Sequence, residues 1–316
     1  MIITRDLETL ATLKQPVHLA MGVFDGVHVG HKRVISEAVT AAKNTGHLSG
    51  VLTFDPFPIQ IVAPNRAPQK ILASMAHKEA LLERLGVDLL YIIPFDESFA
   101  TLSAEAFLDT LRSTGNLAHI SVGEDWKFGK GREGSLPFLQ TYCTQHNIIL
   151  TATPPVINHG ERISSTRIRQ AVRDGNLSAA TQMLGRPYEL FGTVVKGAQI
   201  GRTLGFPTAN IDTTNELLPP NGVYVVQAQW NNRSETGVAN LGVRPTIGGS
   251  LQQTFEVHLL NFNEEIYGEE LQVSFGQRIR GEQKFANLEA LKDQISKDCQ
   301  CAETLVQTGK AWYHSV

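Results

Sequence analysis

What this chain lacks narrows it first. No apolar run reaches the ~18 residues that a membrane-spanning helix requires, so no membrane association is expected. Met1-Ile2-Ile3-Thr4-Arg5-Asp6 contains no apolar stretch of the secretory kind, so export is not expected either. The three cysteines, Cys143, Cys299 and Cys301, cannot all pair, and Cys299-x-Cys301 has no second pair with which to hold zinc. Reduced thiols in a cytoplasmic protein are the simplest expectation. Charge is nearly balanced, 28 Lys+Arg against 31 Asp+Glu, which gives no electrostatic case for nucleic acid or an anionic membrane. There is no G-x₄-G-K-[ST] phosphate loop, no internal repeat and no low-complexity segment.

What is present is a chain of 316 residues with 42% hydrophobic content, enough for two separate cores. Residues 1 to about 185 alternate apolar strands, expected over 17–21, 48–54, 88–93, 119–122 and 148–152, with amphipathic helices. One helix carries Leu81, Leu82 and Leu85; another opens at Ser103 as N-cap, with Glu105 in its first turn. Repeated β–α units imply a parallel sheet covered on both faces, with ligands beyond the carboxyl ends of its strands. After Leu184-Gly185-Arg186-Pro187-Tyr188 helices nearly vanish. Short β runs at 191–195, 222–230, 236–241, 254–260 and 271–280 predict a small antiparallel barrel. A final helix with Leu288, Leu291 and Ile295 on one face should close it. The expected fold is therefore α/β plus β, with domains 1–185 and 186–316.

The first half is organised around Gly22-Val23-Phe24-Asp25-Gly26-Val27-His28-Val29-Gly30-His31, a strand–loop–helix turn whose helix should start near His31. A helix N-terminus favours an anion, and imidazoles three residues apart share a face from which they can donate to phosphoryl oxygens. Taken alone, such a pair is more often incidental or a metal site. Two more loops leave strand ends: Thr53-Phe54-Asp55-Pro56-Phe57-Pro58, and the glycine-rich loop from Val122 to Gly134. In the second loop Trp126, Phe128, Lys127, Lys130 and Arg132 suit a flat ring joined to phosphate, and a mobile loop over a ligand is expected. Core phenylalanines and a solvated basic loop explain the same residues. Ser164-Ser165-Thr166-Arg167-Ile168-Arg169 is a helix start that could be a second anion cradle or an ordinary cap. In the second half, Gly201-Arg202-Thr203-Leu204-Gly205-Phe206-Pro207-Thr208-Ala209-Asn210 offers a hydroxyl and a carboxamide oxygen, hard ligands for Mg²⁺. In Phe255-Glu256-Val257-His258-Leu259 the alternation puts Glu256 on the face opposite the apolar residues.

These motifs together carry a resemblance. Gly-x-Phe-Asp-Gly-x-His-x-Gly-His resembles the HxGH nucleotidyltransferase motif, and Ile163-Ser164-Ser165-Thr166-x-x-Arg169 its phosphate-holding segment. The Pro207-Thr208-Ala209-Asn210 string, Glu256 ahead of His258-Leu259-Leu260 and Tyr267-Gly268, and Arg278-Ile279-Arg280 with Lys284-Phe285 resemble riboflavin kinases. Gly222-Val223-Tyr224 and the segment from Asn240 to Thr246 add to it. Over about residues 15–310 the chain resembles the bacterial bifunctional riboflavin kinase/FMN adenylyltransferases. Trp126, where Phe is expected, and Gly281, where a charged or helix-favouring residue is more usual, are its small departures.

The resemblance implies an N-terminal Rossmann-like nucleotidyltransferase domain and a C-terminal kinase barrel. It implies two ATP-dependent steps, from riboflavin to FMN and from FMN to FAD, with Mg²⁺ as cofactor and riboflavin, FMN and ATP as the molecules bound. Glu256 is implied as the kinase base, and His28, His31 and Arg169 as the residues stabilising adenylyl transfer. Gly22, Phe24, Asp25, Gly30, Ser164, Ser165, Thr166, Gly201 and Gly205 are implied to hold ATP. Phe54, Asp125, Trp126, Phe128 and Arg280 are implied to contact flavin, and Thr208 and Asn210 to hold Mg²⁺. A homo-oligomer is compatible with the sequence. Two other readings stay open: a kinase whose first domain only senses flavin, and an adenylyltransferase for another substrate with an unrelated barrel.

Overall fold

The computed structural model describes residues 1–313 apart from 69, 115, 198–199, 214–215 and 246–250. Thr246, the last residue of the 240–246 motif, lies outside the described residues. The chain forms two compact units, Met1–Gln69 with Met75–Ser164, and Lys70–Ser74 with Ser165–Val316.

The first unit has strands β1 (Ile2–Thr4), β2 (Val17–Met21), β3 (Leu48–Asp55), β4 (Leu89–Pro94), β5 (Leu117–Gly123) and β6 (Ile149–Thr153), with a two-residue pair β7 (Ile157–Asn158) and β8 (Glu161–Arg162). Its helices are α1 (Leu7–Thr12), α2 (Val29–Thr45), α3 (Pro58–Val62), α4 (Met75–Arg84), α5 (Glu97–Ala100), α6 (Ala104–Arg112) and α7 (Leu136–Gln145). The six long strands form a wholly parallel sheet ordered β1-β4-β3-β2-β5-β6. Helices on both faces leave every residue of β2 buried, hence its unbroken apolar run. From β2 the chain steps outward through β3 to β4, then returns to place β5 on the other side of β2. The order reverses at β2, so the crevice of this sheet opens beyond Met21, where the His28–His31 turn begins.

The sheet carries polar residues inside it. His18 Nδ1 lies 3.4 Å from His119 Nδ1, His18 Nε2 lies 3.1 Å from His47 Nδ1, and His119 Nε2 lies 2.9 Å from Thr151 Oγ1. Burial and the neighbouring ring hold both His18 and His119 below the usual imidazole range, His119 down to about 4. The folded chain keeps these rings neutral, whereas the unfolded chain protonates them below about 6.5. Stability is therefore lost as pH falls from 6.5 toward 4, by up to ~1.4 kcal/mol per pH unit for one such ring. Melting temperatures taken at pH 7 and pH 4.5 should show this drop, and His119→Gln should flatten it; a midpoint indifferent to pH over that window refutes it.

The second unit begins with α8 (Ser165–Arg173) and α9 (Leu177–Leu184) and continues with β9 (Glu189–Val195), α10 (Ile200–Leu204), β10 (Ala209–Thr213), β11 (Gly222–Trp230), β12 (Arg233–Pro245), β13 (Leu251–Leu259), β14 (Glu270–Arg280) and α11 (Leu288–Gln307). The strands close an antiparallel barrel in the order β10-β13-β12-β11-β14-β9, sealed by the β9–β10 pairing. Lys70–Ser74 joins this unit through Glu216, whose carboxylate accepts the N–H groups of Ser74 and Phe191, each at 2.8 Å. In the barrel interior Phe255 stacks on Phe275, Tyr224 stands edge-on to Phe275, and the Tyr188 ring is tilted beside it. Strand β11 is buried on both faces because α11 covers its outer side, with Val223, Val225, Cys299 and Ala302 in one cluster.

Several elements differ from the sequence reading. Helix α2 starts at Val29, two residues before His31, because the His28 side chain caps it. The strand β1 and the short helices α1, α3 and α5 lack a clear period and escape prediction. Leu288, expected on the packed face of the last helix, is the first helical residue and is 63% exposed, and the buried residues of the helix are Asp298, Cys299 and Ala302.

Candidate active sites

On the outer wall of the barrel, strand register builds a line of side chains. Asn210 on β10 is the register partner of Glu256 on β13, which is the partner of Asn240 on β12. Asn240 is the partner of Val223 on β11, and Val223 of Arg280 on β14. Register partners project to the same face of a sheet, so these five residues form one row across five strands. Phe255, Val257 and Leu259 point the other way, into the core, which is why the apolar alternation around Glu256 reads so clearly. Between this row and α11 lies a cavity of about 350 Å³, lined among others by Gly201, Thr208, Asn240, Glu256, His258, Arg280 and Asp298.

Thr208 lies one residue ahead of β10, held from two sides. His258 Nδ1 donates to the carbonyl of Pro207 at 2.8 Å, which fixes the backbone just before it. A Cβ on Gly201 would fall 3.2 Å from Thr208 Oγ1, and one on Gly197 would fall 2.2 Å from the Asn210 carboxamide nitrogen. Only glycine allows the backbone to cradle both side chains this closely. Gly205, three residues ahead of Thr208, has φ +89° and serves the turn. Arg280 is bidentate to Asp298 on α11, with Nε and Nη2 each within 3.0 Å of its carboxylate, and its guanidinium lies 5.6 Å from the Phe285 ring. Gln294 donates to the same carboxylate at 2.9 Å. Asp298 escapes the sequence reading; the signal was a carboxylate in the apolar stripe of α11, which is stable there only with a cation to meet it.

In the first unit the expected turn is compact. Phe24, Gly26 and Val27 all have positive φ, at +50°, +76° and +40°. For a β-branched residue such as Val27 that conformation is strained and persists only where its surroundings hold it. His28 caps α2: its Nδ1 accepts the backbone N–H of His31 at 3.2 Å. A ring that accepts at Nδ1 carries its proton at Nε2, so the cap fixes the His28 tautomer. The rings of His28 and His31 stack with centroids 3.5 Å apart, and Phe24 stands edge-on to His31 at 5.3 Å. Gly30 makes room for the His28 ring, since a Cβ there would meet its Cε1 at 3.1 Å. Asp25 is buried. His31 is held well below the usual imidazole range by burial first, then by the His28 ring, the Lys78 ammonium and the Arg162 guanidinium. Its Nδ1 is buried with no hydrogen-bond partner among the described residues. The structure thus gathers Gly22, Phe24, Asp25, His28, Gly30 and His31 into one turn with two neutral imidazoles at a helix N-terminus.

The other expected residues lie in different settings. Phe54 and Phe128 are buried in the apolar core of the sheet, Phe54 against Phe95 and Phe99, Phe128 against Phe107. Trp126 stacks on Phe128 at 4.4 Å. The exposed Asp125 pairs with Arg162 at 2.6 Å. The glycine-rich loop is tied down: Lys130 N–H donates to the Leu102 carbonyl at 2.7 Å, and Glu133 accepts the first N–H of α6, from Ala104, at 2.8 Å. Ser164, Ser165 and Thr166 stand at the start of α8, as the cap residues suggest, and the buried Arg169 donates from Nε to the Lys70 carbonyl at 3.2 Å.

The FAD synthetase family model matches residues 11–167, and the riboflavin kinase family model matches residues 184–306. The bifunctional riboflavin kinase/FMN adenylyltransferase of Escherichia coli (strain K12) is 39% identical over 282 residues, covering 89% of this chain and 90% of its own. The chain belongs to the bifunctional riboflavin kinase/FMN adenylyltransferase family. The Haemophilus influenzae member of the family is 37% identical across the full length of both chains. A solved Streptococcus pneumoniae structure described as a macrolide-efflux protein shares the fold, with TM-score 0.82, 33% identity, and 96% of this chain and 98% of that one covered. In the present family member no helix among the described residues is long and apolar enough to cross a membrane.

Proposed function

We propose that the two steps of flavin cofactor synthesis are divided between residues 186–316, which phosphorylate riboflavin to FMN, and residues 1–185, which adenylylate FMN to FAD. One observation carries the reading: Glu256 lines the cavity with Thr208 and Arg280, and strand register sets it beside Asn210. In the kinase step the 5′-hydroxyl oxygen of the ribityl chain attacks the γ-phosphorus of ATP, its proton passes to the Glu256 carboxylate, and ADP leaves. Arg280, locked by Asp298, orients the flavin end of the substrate.

Thr208 and Asn210 present a hydroxyl and a carboxamide oxygen, a neutral oxygen pair in a glycine cradle, and this donor set fits Mg²⁺ bound mainly by substrate phosphates. Among the described residues no group of three or more His, Cys, Asp and Glu could hold a metal, which accords with so sparse a protein share. When bound, the ion would neutralise phosphate charge.

In the second step a phosphate oxygen of FMN attacks the α-phosphorus of ATP and pyrophosphate leaves. The nucleophile is already an anion, so no base is required. His28 Nε2–H and His31 donate to the charge that develops, and Gly22, Phe24, Asp25 and Gly30 shape the nucleotide pocket. By family resemblance, Ser164, Ser165, Thr166 and Arg169 hold phosphate, and Asp125, Trp126, Phe54 and Phe128 form the flavin side. We place the protein in the cytoplasm, without nucleic-acid or membrane partners. The purified chain, given riboflavin and Mg-ATP, should form FMN first and FAD after a lag, and chelation of the divalent cation should stop both. Failure to form FMN overturns the kinase assignment; FMN that never proceeds to FAD overturns the second.

A further inference from the structure

Lys78 has no place in the chemistry so far. It lies on α4 among buried residues, and none of its surface reaches solvent. Burying a lysine is costly unless its protons are used. Here Nζ donates to the Val23 carbonyl at 2.8 Å and to Thr53 Oγ1 at 3.2 Å, and Thr53 Oγ1 donates to the same carbonyl at 3.0 Å. Nζ also stands 5.2 Å from the Phe57 ring centroid. Burial lowers the ammonium to about 8, while Asp25 on the turn and Asp55 at the end of β3 oppose that shift. It is therefore mostly charged at neutral pH.

Val23 directly precedes the strained run that opens at Phe24 and ends where His28 caps α2. Lys78 fastens the start of that run and the His28 cap fastens its end. The same charge helps to hold His31 neutral, together with His28 on the turn and Arg162 on β8. We propose that Lys78 is a positioning residue for adenylyl transfer, fixing the Val23 carbonyl and with it the turn that carries His28 and His31. The proposal rests on reading those two imidazoles as the adenylyl site.

The test starts with the unaltered full-length chain. FAD formation from supplied FMN should fall as pH rises through about 8, relative to FMN formation from riboflavin in the same samples; parallel profiles overturn the proposal. Lys78→Arg keeps a charge that does not titrate there, so the alkaline fall should disappear. Lys78→Met keeps length and loses the charge. It should lower kcat for FAD on the order of 100-fold with little change in KM, and the His31 ring, followed by NMR, should titrate at higher pH. If Lys78→Met lowers only the melting temperature and leaves kcat and the His31 titration as they were, Lys78 is a structural residue and the proposal fails. His31→Ala run in parallel separates the two readings. Full FAD synthesis in His31→Ala removes the adenylyl site itself, and the proposal with it. Loss in His31→Ala but not in Lys78→Met removes only the role of Lys78.

Discussion

Glu256→Gln should lower FMN formation from riboflavin by on the order of 10²–10⁴-fold, the range a general base typically contributes. The substitution keeps the shape of the side chain and its place in the row between Asn210 and Asn240. It removes the proton acceptor together with the negative charge. The neighbouring interior residues Phe255 and Val257 are untouched, so the barrel should keep its melting temperature. FAD formation from supplied FMN should continue, because His28 and His31 belong to the other compact unit. Binding of riboflavin, read from quenching of its fluorescence, should persist, which separates loss of chemistry from loss of substrate. Kinase activity within a few-fold of the unaltered chain would remove Glu256 from the role and leave it as a surface carboxylate.

The sequence makes some of this architecture legible for physical reasons. Strand β2 is apolar throughout because both faces of its sheet are covered, so it is found with the bounds the sequence suggests. Around Glu256 the period of two survives because one face of β13 fills the barrel and the other meets the cavity. Ser103 caps α6 with its own side chain, accepting the Ala106 N–H at 3.1 Å, as a local signal should. What stays hidden depends on distant partners. No local pattern announces that Asn240 will stand beside Glu256, because their pairing is set by the register of β12 against β13. Lys78 and Asp298 interrupt apolar stripes, and each is explained only by a group far along the chain, Val23 for one and Arg280 for the other. For Phe54 the loop leaves a flavin face and core packing equally open, and for Phe128 a ligand loop and a solvated basic loop; tertiary contacts with Phe95, Phe99 and Phe107 give both a packing role whatever else they do.

Replacing both imidazoles, His28→Ala with His31→Ala, should stop the pathway at FMN. One oxyanion-type donor is worth on the order of 100-fold in rate, and this change removes two. FMN should accumulate from riboflavin at the unaltered rate, since Glu256, Thr208 and Asn210 lie in the other unit. The stacked geometry complicates a single substitution, because His28 also caps α2 through Nδ1 and its loss leaves the His31 N–H without that acceptor. Losing a cap costs about 1 kcal/mol, so part of any effect of His28→Ala would come from a frayed helix. His28→Asn separates the two. Asparagine is a good N-cap and should restore α2, as judged by the melting temperature, yet its shorter side chain cannot deliver a donor where the imidazole Nε2–H lies. FAD synthesis should therefore stay low in His28→Asn while stability recovers. Recovery of both together would show that His28 serves only as a cap, and the burden of charge stabilisation would then fall on His31, whose buried Nδ1 has no partner among the described residues.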